Sequence, residues 1–160
     1  MNPVLNLIME KGKLMESLKT YTYCRKAQYH ETDQMGIIHH SNYIRWFEEA
    51  RLAYLEKKGC SYKALEERKI IIPVISAGCR YKKSVHYGDT VDICLHLTGF
   101  NGVKFSVAYQ VLHHETGELM AEGETGHCFL NEKMQPFRLK KEAPDVYDFF
   151  KSCLEESADV

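Results

Sequence analysis

Residues 41–59 read SNYIRWFEEARLAYLEKKG. Tyr43, Phe47, Ala50 and Tyr54 recur at steps of three and four, the spacing that stacks side chains on one face of an α-helix, and Trp46 and Ala53 widen that face. Ser41 and Asn42 are residue types that cap helix N-termini. Lys57 and Lys58 put cations on the last turn, where the helix dipole favours them, and Gly59 supplies the left-handed residue that closes a helix. The stretch predicts one long helix with a single broad apolar face, and that face needs a cover.

The cover lies downstream. A short helical stretch around Tyr62 to Arg68 comes first, and then the hydrophobic period falls from that of a helix to that of a strand. The segments are KIIIPVISAGCRYKKSVHYG (69–88), TVDICLHLTGF (90–100), VKFSVAYQVLHH (103–114) and GELMAEGETGHCFLN (117–131). Val91, Ile93, Leu95 and Leu97 alternate with Asp92, Cys94 and His96, and Phe105, Val107, Tyr109 and Val111 repeat the alternation. Asn101-Gly102 and Thr116-Gly117 suit hairpin turns, which implies an antiparallel meander. From Pro144 onward the spacing is again helical. Upstream, YTYCRKAQY (21–29) reads as a further half-buried strand and HETDQMGIIHHS (30–41) as a loop. The pattern predicts an α+β fold: an antiparallel sheet wrapped around a central helix that alone is long and apolar enough to fill its inner face.

The 160 residues suffice for one domain, taken as residues 19–160, preceded by an appendage at 1–18. Twenty-one basic and 22 acidic residues give a formal charge of −1, the wrong balance for gripping a phosphate backbone, so no nucleic-acid partner is expected. No apolar run reaches the roughly 20 residues that span a bilayer, and Glu10, Lys11 and Lys13 interrupt the first apolar patch, so neither an integral membrane segment nor a secretion signal is expected. Cys24, Cys60, Cys79, Cys94, Cys128 and Cys153 are far apart in sequence, with no C-x-x-C pair and no short-spaced Cys/His set. They read as reduced thiols of a cytoplasmic protein, without a metal.

The loop before the long helix concentrates chemistry. Asp33, Gly36, His39 and His40 precede a helix N-terminus, whose unpaired amides and positive dipole end attract developing negative charge. Acyl transfer needs such donors for the oxyanion, and a base or nucleophile to attack or to activate water. Helix-end amides supply the first and Asp33 the second.

The run YHETDQMGIIHHSNY (29–43) resembles the D-x-x-G-(six residues)-Y signature of hotdog-fold acyl-CoA thioesterases of the 4-hydroxybenzoyl-CoA thioesterase type, and is similar in particular to the branch associated with the Tol-Pal system. The run YKKSVHYGD (81–89) resembles the family's Y-x-K-P-x-x-Y-G-D segment, and the likeness spans about residues 21 to 140. The resemblance implies that Asp33 is the catalytic carboxylate, as nucleophile or general base. It implies that Gly36 lets the loop pass close to substrate, and that His40 stands where a backbone amide polarises the thioester carbonyl. Tyr43 and Trp46 would border the acyl pocket. It further implies an acyl-CoA substrate, a homodimer or tetramer with sites at the subunit interface, and no cofactor beyond the coenzyme A of the substrate. Ser84 stands where many relatives have proline, and His39 where they carry tyrosine or tryptophan.

Each assignment has a plainer counterpart. An Asp in such a loop often forms an Asx-turn. Tyr43, Trp46 and Phe47 at helical spacing are core residues as well as pocket candidates. Adjacent histidines such as His39 and His40 make a poor metal pair. Glu48 and Glu49 invite comparison with hotdog thioesterases whose acid is on the central helix, but Arg45 and Arg51 beside them suit an ion-paired, solvated face. Lys83, with Arg80 and Lys82, is positioned for coenzyme A phosphates and equally for a solvated strand edge. The competing functions are an acyl-thioester hydratase or dehydratase, which needs a second positioned acid or base, and an acyl-CoA-binding module without turnover.

Overall fold

The computed structural model describes residues 21–158, so the appendage at 1–18 lies outside the described residues. Strand β1 (Tyr21–Lys26) leads through a 3-10 turn (Tyr29–Glu31) and a loop into helix α1 (Ser41–Lys57) and short helix α2 (Tyr62–Glu67). Strands β2 (Val74–Tyr81), β3 (Thr90–Phe100), β4 (Lys104–His113) and β5 (Leu119–Cys128) follow, then helices α3 (Leu139–Glu142) and α4 (Pro144–Ala158). The five strands form one antiparallel sheet in the order β1-β3-β4-β5-β2. This α+β arrangement, a sheet folded on a long helix, is the hotdog fold.

The alternation in β3 and β4 acts as expected. Val91, Ile93, Leu95 and Leu97 from β3, and Phe105, Val107, Tyr109 and Val111 from β4, enter one core with Tyr43, Trp46, Phe47, Ala50 and Tyr54 of α1. Hairpins at Asn101-Gly102 and Thr116-Gly117 place their glycines at φ +87° and +71°, a region that costs a residue without a Cβ little.

Four expectations need correction. β1 ends at Lys26 rather than Tyr29, because Glu31 reaches back to accept the Gln28 amide at 2.8 Å and turns the chain. The last four strands are not a simple meander: β2 pairs with β5 at the far side of the sheet, and β3 takes β1 as its outer neighbour. Helix α1 does not fill the inner face alone. Val146, Phe150 and Cys153 of α4 are buried there too, with the Phe150 ring 4.9 Å from Phe105 and 5.0 Å from Phe129. Ser41 and Asn42 lie inside the helix rather than capping it; His40 is the N-cap residue, and the His39 ring accepts the Ser41 amide at 3.2 Å through Nδ1. Gly59 closes α1 at φ +87°, as its position predicts. All six cysteines are unbridged, with Cys94 and Cys153 buried.

Candidate active site

Three pieces of the chain build a cavity of about 200 Å³: the loop after β1, the first turn of α1, and the end of β2 with the residues that follow it. Asp33, Ile37 and Ile38 come from the loop, His40 and Tyr43 from the helix start, and Tyr81 and Lys83 from the strand side. The loop holds its shape through backbone contacts on both sides. The Asp33 amide donates to Ile37 O at 2.8 Å, Gly36 donates to Asp33 O at 3.0 Å, Ile38 donates to Val85 O at 2.8 Å, and His39 donates to Glu31 O at 2.9 Å. Gly36 sits at φ +78°, so this tight reversal asks for glycine on conformational grounds.

Asp33 is half-buried, and its Oδ1 accepts the Met35 amide at 2.8 Å. The Asx-turn of the plainer reading is therefore present, in a residue that also lines the cavity. His40 stands exposed at the helix N-terminus, where the first amides point away from any intrahelical acceptor. Two of those amides are engaged, Ser41 with the His39 ring and Asn42 with His39 O at 3.0 Å. The Tyr81 hydroxyl donates to His40 O at 2.9 Å and fixes the peptide that follows His40. Its ring also meets Tyr43 edge-on at 5.0 Å. Burial pushes the Tyr43 hydroxyl up to about 12, and partial desolvation together with the neighbouring Cys79 thiol does the same for the more exposed Tyr81, so each remains a protonated donor at neutral pH.

Of the residues singled out from sequence, Asp33, His40, Tyr43 and Lys83 meet at this cavity, and Gly36 shapes the loop beside it. Trp46 is fully buried and is not among the lining residues. Its indole N–H donates to Glu31 Oε1 at 2.9 Å, and Arg25 lies 4.9 Å above its ring. Lys83 is paired with Glu118, while Lys82 and Arg80 approach Glu122 at 3.6 and 3.5 Å, which matches the solvated-edge picture.

Glu49 pairs with Arg25 at 2.8 Å rather than with a helix neighbour, and Arg51 is buried with its guanidinium donating to the Tyr109 hydroxyl at 3.1 Å. The ion-paired face expected there thus loses Arg51 to the core. Two residues escaped sequence reasoning. Glu31 binds Arg25 at 2.8 Å as well as Trp46, and so ties β1 to the helix beneath the loop. Tyr81 opens the second motif, which signalled its presence but not its bond to the helix start.

Residues 27–151 match the family described as the thioesterase-like superfamily. A Bacillus subtilis protein with the provisional name acyl-CoA thioesterase YneP is 34% identical over 129 residues, covering 80% of this chain and 93% of its own. The crystal structure of DHNA-CoA thioesterase from Staphylococcus aureus is similar with a TM-score of 0.79 at 34% identity, over 83% of this chain and 89% of that one. A protein of Aquifex aeolicus is similar with a TM-score of 0.72 at 32% identity, over 81% and 98%.

Proposed function

The chain belongs to the thioesterase-like superfamily, and on that premise we propose that it hydrolyses acyl-CoA thioesters to a free acid and coenzyme A, with Asp33 as the reacting carboxylate. The observation that carries this reading is the meeting of Asp33 with the N-terminus of α1 in one cavity. A thioester carbonyl placed between them has a carboxylate on one side and helix-end amide donors on the other. As charge builds on the carbonyl oxygen, the amide of His40 and the helix dipole stabilise it.

Two routes use this geometry. In the nucleophilic route an Asp33 oxygen bonds to the carbonyl carbon, the C–S bond breaks, and the thiolate leaves and takes a proton from solvent. Water then cleaves the mixed anhydride and restores the carboxylate. In the general-base route Asp33 takes a proton from water as the hydroxide adds to the carbonyl carbon, and that proton passes to the departing sulfur. Neither route draws on a cofactor. Tyr43 borders the acyl group, and Lys83 at the mouth is the residue proposed to meet a coenzyme A phosphate, exchanging Glu118 for it.

The finer placement, with the 4-hydroxybenzoyl-CoA thioesterase type and its Tol-Pal-associated branch, rests on the motifs around Asp33 and Tyr81; the relatives described above carry other names. Assembly as a homodimer or tetramer belongs to the same proposal, as does a cytoplasmic location. Among the described residues no helix is long and apolar enough to cross a membrane.

The test is free-thiol release from acyl-CoA esters of graded chain length plus one aryl ester, with wild type and Asp33→Asn side by side. Asp33-dependent release supports the proposal and ranks the acyl groups. Water addition without thiol release points to a hydratase, and binding without release to a non-catalytic module. A single turnover in ¹⁸O-water tests the nucleophilic route: label in Asp33 requires an anhydride opened at the Asp33 carbonyl carbon, whereas label confined to the free acid is the product of general-base attack or of an anhydride opened at the acyl carbon.

A further inference from the structure

On the sheet face turned away from α1, three metal-ligating side chains from distant parts of the chain converge. Cys24 of β1 is the direct cross-strand partner of Asp92 in β3, so their side chains leave the same face of the sheet. His114 follows the last residue of β4 and is pinned by its amide, which donates to Thr90 O at 2.9 Å. Its Nδ1 lies 2.9 and 3.0 Å from the two oxygens of Asp92. One donor atom each from Cys24, Asp92 and His114 falls within 4.8 Å of the others. Asp92 is 5% exposed, whereas Cys24 and His114 are open to solvent.

We propose that Cys24, Asp92 and His114 form a zinc-binding site, separate from the thioester cavity. The ligand set is chemically matched: a thiolate, an imidazole and a carboxylate are the three donor types that Zn²⁺ takes, and three protein ligands leave the fourth tetrahedral position to water. Binding releases the Cys24 thiol proton, since the thiolate is the ligand form. Tetrahedral ligands around zinc sit about 3.5 Å apart. The His114–Asp92 contact therefore opens slightly, by side-chain rotation of Asp92 on β3 and of His114 just past the end of β4. The site joins the edge strand β1 to β3 and to the end of β4, so the ion would clip three strands together.

The experiment is a Co²⁺ titration of chelator-treated full-length protein, read by absorption. A site of this kind gives one equivalent of cobalt with a near-ultraviolet thiolate-to-cobalt charge-transfer band and the strong visible bands of a four-coordinate ion. Zn²⁺ displaces both, and Zn²⁺ raises the wild-type melting temperature. Cys24→Ser abolishes the charge-transfer band and His114→Ala weakens binding at least tenfold, with circular dichroism confirming that both variants are folded. Wild-type protein that gives no charge-transfer band overturns the proposal without recourse to any variant. So does a band that persists in Cys24→Ser, or an affinity unchanged in His114→Ala; the cluster is then a His–Asp pair beside a thiol.

Discussion

Asp33 has two tasks in the proposed enzyme, and a single substitution separates them. Its Oδ1 accepts the Met35 amide and so holds the turn, while reaction needs the negative charge. Asn keeps the accepting oxygen and loses the charge. Asp33→Asn is therefore expected to lower kcat/KM by about 10²–10⁴-fold, with binding of a non-hydrolysable acyl-CoA analogue and the melting temperature near wild type. Asp33→Ala removes both tasks and is expected to lower activity and loop order together. His40→Ala should cost less than Asp33→Asn, because the amide survives the change; equal losses in kcat would make the imidazole itself a reacting group. A different residue contributes to acid sensitivity. His127 is fully buried, stacked on Phe105 at 4.6 Å and bonded to Thr125 Oγ1 at 2.7 Å through Nε2. Burial, and then the nearby Arg51 cation, lower its pKa to about 3. The unfolded chain binds this proton near pH 6.5 and the folded chain does not, so stability present above that pH falls as pH drops from about 6.5 toward 3. Urea unfolding at pH 7 and pH 4 is expected to show a smaller loss for His127→Gln than for wild type; equal losses would place the acid sensitivity elsewhere.

At the scale of elements, the sequence carried the helix and the strands because each is written in a local period: three and four residues between Tyr43, Phe47, Ala50 and Tyr54, and two between Val91, Ile93 and Leu95. What it could not carry were facts set by non-local partners. The pairing of β2 with β5 depends on the crossover made by the whole chain. The cap of α1 depends on the His39 ring folding over the Ser41 amide, and Arg51, charged and on a helix, gave no local sign that Tyr109 would receive it in the core. The same holds for the site: Asp33, Gly36 and His40 share a motif, but the bond from Tyr81 to His40 O joins residues 41 positions apart, and Cys24, Asp92 and His114 have no spacing to read. One packing contact makes an element-scale prediction. A Cβ on Gly123 of β5 would lie 2.5 Å from the Phe47 ring and 2.5 Å from Gly78 O of β2. Phe47 is stacked on Tyr109 at 4.3 Å and the carbonyl belongs to a paired strand, so neither yields easily. Gly123→Ala is expected to destabilise the fold by about 1–3 kcal/mol, read as a lower urea midpoint at unchanged m-value. A wild-type midpoint would mean that α1 slides on the sheet without cost.

For the molecule as a whole, the two outer strands of the described sheet are unlike. β1 ends in Arg25 and Lys26, whereas β2 reads VISAGCRY, with its first charge at the seventh position and with Val74 and Ile75 half exposed. Edge strands that must stay alone carry charges, prolines or bulges; β2 has an irregularity in its register only at Val74/Ser76, and among the described residues no strand pairs with its outer side. Tyr81, which lines the cavity and fixes the start of α1, is the last residue of this strand. Pairing between the β2 edges of two copies would therefore bury Val74 and Ile75 and wall the cavity from the open side, which is how the proposed homodimer and the proposed site depend on each other. Ile75→Asp places a charge at the start of that edge while leaving every cavity residue in place. Wild type is expected to sediment as a dimer or larger at micromolar concentration, and Ile75→Asp as a monomer with its secondary structure intact. Thiol release should fall in step with dissociation as wild type is diluted, and should be low in the variant at every concentration. A monomeric wild type with full activity would instead make each subunit's cavity sufficient alone and leave the exposed β2 edge to some other use.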